Sequence, residues 1–290
     1  MLLHSGLFVL LLTAGALAHA APDAVVEGVQ SPAWMSRDGK RQPLAIGTEL
    51  RRGDELATGG NSRLLLRLGD GSTVKLGENG TLKLSDLTQK RKASFLAATL
   101  NVVEGAFRFT TAAVLKNRYS RDIVVQFPTL TAGIRGTDIW GKNLGDKEVV
   151  VLIEGKITVT RAGEKPLQMN DPLTYLQAPK TGSLSVEEVP IEQLTVWAAE
   201  TEIAEGSGAL RTGGKWKLYL GSFDQQTEAL ATYDRLRREG YPVRILPRQD
   251  ETGTQYRLRL AGFSSRAEAN ALGARLKQGD PRLDPVASIQ

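Results

Sequence analysis

The residues with the most chemical content lie near the C-terminus. Lys217 and Tyr219 alternate with Leu218 and Leu220, Arg257 and Arg259 with Leu258 and Leu260, and Arg244 sits between Val243 and Ile245. In a strand, every second residue points to the same face. If the aliphatic residues line a core, the lysine, the tyrosine and the arginines face away from it together. Such a face is suited to binding. Guanidinium and ammonium groups donate to hydroxyl, acetamido or carboxylate oxygens, and a tyrosine ring offers a flat surface to a sugar. RNA-binding sheets stack bases on two or three aromatics; this face has one.

Catalysis has little to work with. Cysteine is absent, and the two histidines are His4 and His19. Beyond residue 20 the chain therefore lacks the means for Ser-His-Asp or Cys-His nucleophilic sites and for the usual zinc and haem ligand sets. Two carboxylates suffice for glycoside hydrolysis, but no cluster of Asp and Glu stands out from ordinary solvated charge. The chain reads as a binding protein, not an enzyme, without cofactor or metal.

The N-terminus carries an address. Gly6 to Ala18 is an apolar run of 13 residues, followed by the small-x-small pattern Ala18-His19-Ala20. This predicts a secretory signal peptide over residues 1–20, cut near Ala20/Ala21. No later stretch reaches the roughly 20 apolar residues of a membrane helix. The expected location is the periplasm, with no membrane span in the mature chain and no nucleic-acid partner. Without disulfides, the domains must be large enough to bury their own cores.

Charge is uneven. Residues 1–210 carry 23 basic and 23 acidic side chains, whereas residues 211–290 carry 14 basic and 9 acidic, so the net +5 of the whole chain resides in its last 80 residues. That asymmetry points to an interaction module at the C-terminus.

The elements that must position these residues fall into two domains. Residues 23–185 read as an all-β domain of short strands, roll- or solenoid-like, broken by turn signals such as Gly39, Asp70-Gly71, Asn79-Gly80 and Gly105. Asp-Gly and Asn-Gly favour tight hairpins, and Val149–Ile153 with Lys156–Val159 around Glu154-Gly155 is a further candidate hairpin. Residues 186–214 form a helical segment, opening at Pro190, and a Gly-rich linker through Gly206-Ser207-Gly208 and Gly213-Gly214, expected to be flexible. Residues 215–290 repeat themselves with an offset of 40: Trp216, Leu218, Leu220 and Phe223 match Tyr256, Leu258, Leu260 and Phe263, and Glu228, Ala229, Arg235 and Leu236 match Glu268, Ala269, Arg275 and Leu276. Ser265-Arg-Ala-Glu268 reads as a capping box at the start of the second helix. A duplicated β-α-β unit predicts an α+β ferredoxin-like βαββαβ fold, with both helices on one side of four strands and the basic face on the other.

This repeat, with Trp216-Lys-Leu-Tyr-Leu-Gly-Ser-Phe223 and Tyr256-Arg-Leu-Arg-Leu-Ala-Gly-Phe263, resembles the SPOR (sporulation-related) domain. The resemblance implies binding to peptidoglycan through the open sheet face, with preference for glycan strands stripped of stem peptides, which accumulate at division septa. Lys217, Tyr219, Ser222, Arg244, Arg257 and Arg259 are then the glycan-binding candidates. Tyr219 stands where the family usually has a glutamine, and Ala261-Gly262 replaces its usual Gly-Pro.

Residues 25–180 resemble the FecR-like domain, through Pro43-Leu-Ala-Ile-Gly-Thr-Glu-Leu-Arg-Arg-Gly-Asp54, Asp70-Gly-Ser-Thr-Val-Lys-Leu-Gly77, Val103-Glu-Gly-Ala106 and Ala132-Gly-Ile-Arg-Gly-Thr137. Most of these residues are turn glycines and strand positions; Arg135 is the interaction candidate. The resemblance implies protein interaction or sensing, with a periplasmic or outer-membrane protein as partner. Two readings follow: a septal or periplasmic peptidoglycan-binding protein, and a signalling component reading a transporter or small ligand.

Overall fold

The computed structural model describes residues 22–90, 95–112, 120–250 and 253–289. The expected signal peptide lies outside the described residues.

Residues 24–188 form two sheets around one core. Strands rich in alternating aliphatics, such as Arg63–Leu68, bury every second side chain and leave the others half-exposed or exposed. Leu64, Leu66, Phe107 and Leu152 from one sheet meet Leu82, Leu84, Leu100 and Leu130 from the other in a single buried cluster. The long strand Phe95–Thr110 belongs to both sheets. Its first half pairs in parallel with Ser120–Gln126, and its second half pairs antiparallel with Asp138–Asn143. The passage occurs at Gly105, whose φ is +81° and where a Cβ would lie 2.6 Å from the Gly80 Cα. Only glycine fits there.

Some turn signals are hairpins and others are not. Arg63–Leu68 and Thr73–Leu76 pair directly across Asp70-Gly71, and Ala33–Arg37 pairs with Lys40–Pro43 across Asp38-Gly39. By contrast, the expected hairpin at Glu154-Gly155 does not form. Lys147–Glu154 pairs with Asp138–Asn143 and Thr174–Pro179, whereas Ile157–Arg161 pairs in the opposite sheet with Leu130–Ile134 and Leu167–Met169. Asn79-Gly80 likewise carries the chain from one sheet to the other. A residue at positive φ, glycine or asparagine, turns the chain equally well in either case; burial of the next strand's apolar face decides where it goes.

Helix α1 (Ile191–Thr201) lies on the outside of one sheet, with Pro190 as its N-cap. Leu194 and Trp197 pack against Ala106, Trp140, Val149 and Val151, and the two indoles stack with centroids 5.2 Å apart. Lys142 to Glu200, and Lys75 and Arg108 to Glu202, tie the helix end to the sheet. No helix among the described residues is long and apolar enough to cross a membrane.

The C-terminal domain is the expected βαββαβ unit. Its sheet runs Arg244–Asp250, Gly253–Phe263, Trp216–Phe223, Val286–Ser288, all antiparallel. Helices α2 (Gln226–Arg238) and α3 (Arg266–Gly279) supply Ala229, Leu236, Ala269, Leu272 and Leu276 to a core with Leu218, Leu220, Leu258 and Leu260.

The Gly-rich segment between the domains is held in place. Leu210–Arg211 pairs with Val29 and Gly28 of the first strand of the chain, and Leu210 also with Phe263, so it joins the two sheets edge to edge. The Glu268 carboxylate accepts from the backbone N–H groups of Gly206 (2.6 Å), Gly208 (2.6 Å) and Ala209 (3.1 Å). The segment expected to be a flexible linker thus carries hydrogen bonds to a buried carboxylate and a sheet pairing, neither of which its glycine content announces. The capping box is half formed for the same reason. Ser265 Oγ accepts from Glu268 N at 3.2 Å, while the Glu268 side chain turns away to the linker.

Candidate functional site

The open face of the C-terminal sheet is built by strand alternation. Leu218, Leu220, Leu258 and Leu260 are fully buried against the helices, so the residues between them emerge on the other side. The strand register then sets the neighbours. Arg244 lies opposite Arg259, Arg259 opposite Tyr219, and Tyr219 opposite Val286, forming one row across all four strands. Arg257 sits opposite Ser222 on one side and Leu246 on the other, and Lys217 lies opposite Ala261 and Ser288. A register shift between Tyr219 and Gly221 places Leu220 inward and returns Ser222 to the open face, as a bulge does. Ser222 Oγ lies 3.1 Å from Gln255 Oε1.

All six expected residues thus share the open face, with Arg244 and Ser222 exposed and Lys217, Tyr219, Arg257 and Arg259 half-exposed. The ion pairs of this domain lie elsewhere: Arg235 with Glu239 and Asp280, Arg282 with Asp280, Lys277 with Asp284. Among the described residues, Arg259 Nε is buried and has no hydrogen-bond partner. Val286, 55% exposed beside Tyr219, extends the apolar part of the row. Sequence reading passed over it because a three-residue strand gives no periodicity to orient it.

Arg135 lies apart from this face. It is exposed where the chain leaves Leu130–Ile134 for the opposite sheet, beside Gly136 at φ +68°. With Lys156 it borders a cavity of about 1340 Å³. A third cation there, Arg121, is committed to the buried Asp70 at 2.5 Å. The rest of the Ala132–Thr137 motif is structural: Thr111 and Thr137 exchange hydrogen bonds that close the crossing between sheets.

The two domains are docked through contacts that sequence reading did not foresee. Trp34 Nε1 donates to the Arg238 carbonyl at 3.0 Å, and Ala33 N donates to the Gly240 carbonyl at 3.1 Å. Gly240, just past the end of α2, has φ +88°, and a Cβ there would come within 2.7 Å of the Trp34 ring. Arg275 donates to the carbonyls of Ser207 (3.0 Å) and Ser31 (3.5 Å). Trp34 carried no readable signal, since its partner lies 204 residues away.

Comparison with known proteins agrees with this layout. Residues 54–158 match the family model described as FecR protein, and residues 212–283 match the SPOR domain, in the order and places the motifs implied. Both are non-catalytic binding or regulatory families of the cell envelope, and SPOR domains bind peptidoglycan. No curated protein matches the chain significantly. Two crystal structures of a candidate anti-sigma factor from Parabacteroides distasonis align with it, each with a TM-score of 0.40. One is 14% identical and covers 81% of this chain and 99% of its own; the other is 12% identical and covers 78% and 91%.

Proposed function

We propose that this chain, which carries a FecR segment followed by a SPOR domain, is a periplasmic protein that binds denuded glycan strands of peptidoglycan and catalyses nothing. The observation that carries the reading is the open sheet face of the SPOR domain, where cations surround Tyr219 and no carboxylate is paired with them among the described residues. A sugar ring lies on Tyr219 and Val286, and Lys217, Ser222, Arg244, Arg257 and Arg259 bond its substituents. Individually weak polar and stacking contacts are multiplied by repeated sites along a strand. The FecR region, through the surface around Arg135, engages a periplasmic or outer-membrane protein. Enrichment at the division septum follows from where denuded strands accumulate.

The test is co-sedimentation of the full chain with purified sacculi, before and after amidase removal of stem peptides. Pelleting should increase after amidase and fall to background for Tyr219→Ala/Arg259→Ala, whose side chains leave the core untouched. Unchanged pelleting by the double variant removes the sheet face from the reading.

The match of residues 54–158 to FecR supports a second reading, in which the chain is a signalling component and glycan binding only places it. Co-purification of an envelope protein that is lost on Arg135→Glu, with sacculus binding intact, supports that reading.

A further inference from the structure

Several strand cations of the FecR region are neutralised. Arg37 meets Asp54, Arg67 meets Glu27, Arg108 meets Asp138 and Arg121 meets Asp70. The open SPOR face departs from this pattern. Arg244 and Arg259 are directly opposite on adjacent strands, which brings their Cα atoms within about 5 Å. Like charges so placed destabilise a sheet. Lys217 and Arg257 lie on the same face, and among the described residues none of the four has a carboxylate partner. A surface that concentrates positive charge next to an aromatic ring, with no carboxylate among the described residues to balance it, is shaped for an anion fixed to a ring.

We infer that the Arg244–Arg259 pair recognises the free lactyl carboxylate of N-acetylmuramic acid. The inference rests on the glycan reading above and names what the face reads in the glycan. Where a stem peptide is attached, the lactyl group is a neutral amide. Where the peptide has been removed, the same group is a carboxylate held close to the sugar ring. A ring seated on Tyr219 and Val286 presents its substituents along the row to Arg259 and then Arg244, since neighbouring strands lie about 4.8 Å apart. Guanidinium–carboxylate hydrogen bonds are short, charge-assisted and directional. Stem peptides carry carboxylates of their own, but along a flexible chain beyond its first residue and not on the ring's own lactyl group. Preference for denuded strands thus becomes a preference for one charge at one place, and steric exclusion of the peptide is not needed to explain it.

The experiment uses the full chain and two forms of one probe: amidase-denuded glycan strands, and the same strands after carbodiimide coupling of their carboxylates to methylamine, which restores a neutral amide without a peptide. Binding to the amidated strands should be weaker by roughly tenfold or more, as loss of a charge-assisted pair requires. Arg244→Gln/Arg259→Gln should lower binding to the untreated strands and abolish the difference between untreated and amidated strands. Equal binding of the wild-type chain to both forms overturns the carboxylate inference and leaves the glycan reading standing. Binding to neither form overturns the glycan reading itself. Circular dichroism of the double variant checks that the two substitutions leave the fold intact.

Discussion

The two halves of the C-terminal repeat place the same residues at the same positions and use them differently. Glu228 in α2 is exposed, whereas its counterpart Glu268 in α3 is 8% exposed and binds three backbone N–H groups of the inter-domain segment. Arg235 pairs with Asp280 and Glu239 inside its own domain, whereas Arg275 donates to the carbonyls of Ser207 and Ser31. One half completes the domain and the other grips the FecR region. Duplication supplied a glutamate and an arginine at each helix; the neighbour that each helix met decided their work.

The comparison is broken most directly at Glu268. Glu268→Ala leaves the N–H groups of Gly206, Gly208 and Ala209 without their acceptor and should cost about 3 kcal/mol, read as a lower urea midpoint and faster amide exchange at those three residues. Glu228→Ala should change stability by less than about 0.5 kcal/mol. Equal effects of the two variants would mean that the buried carboxylate is incidental.

A smaller separation is expected between the arginines. Arg275→Ala removes charged hydrogen bonds to two carbonyls and should cost about 1.5 kcal/mol, accompanied by new proteolytic cleavage in residues 203–214. Arg235→Ala should destabilise the C-terminal domain without exposing that segment. Cleavage in both variants, or in neither, would show that Arg275 does not hold the docking.

The smallest effect has the opposite sign. Arg244→Gln relieves the like-charge contact with Arg259 and should raise thermal stability by a few tenths of a kcal/mol while weakening glycan binding. A loss of both stability and binding would show that the pair supports the sheet and is not held in reserve for a ligand.

Much of the site was legible before any fold was known. Alternation of Lys217, Tyr219, Arg257 and Arg259 with leucines leaves one side for the core and one for solvent, so their common face followed from a period of two. Ser222 joined that face through a bulge after Tyr219, which alternation alone would have turned the wrong way. Val286 escaped notice because its strand is three residues long. The hairpin expected at Glu154-Gly155 failed because a turn glycine records a change of direction and not the strand that follows it.

By itself the sequence determined the all-β and βαββαβ domains, the repeat, the inward leucines and the basic face, because each depends on local periodicity and on a core that only the aliphatic side can fill. Tertiary structure alone decided that Arg244 faces Arg259, that the linker is fastened by Glu268, and that Trp34 meets Arg238 across 204 residues. Those contacts depend on strand register and on the docking of distant surfaces, where burial of shared apolar area selects among arrangements that local propensity leaves equal.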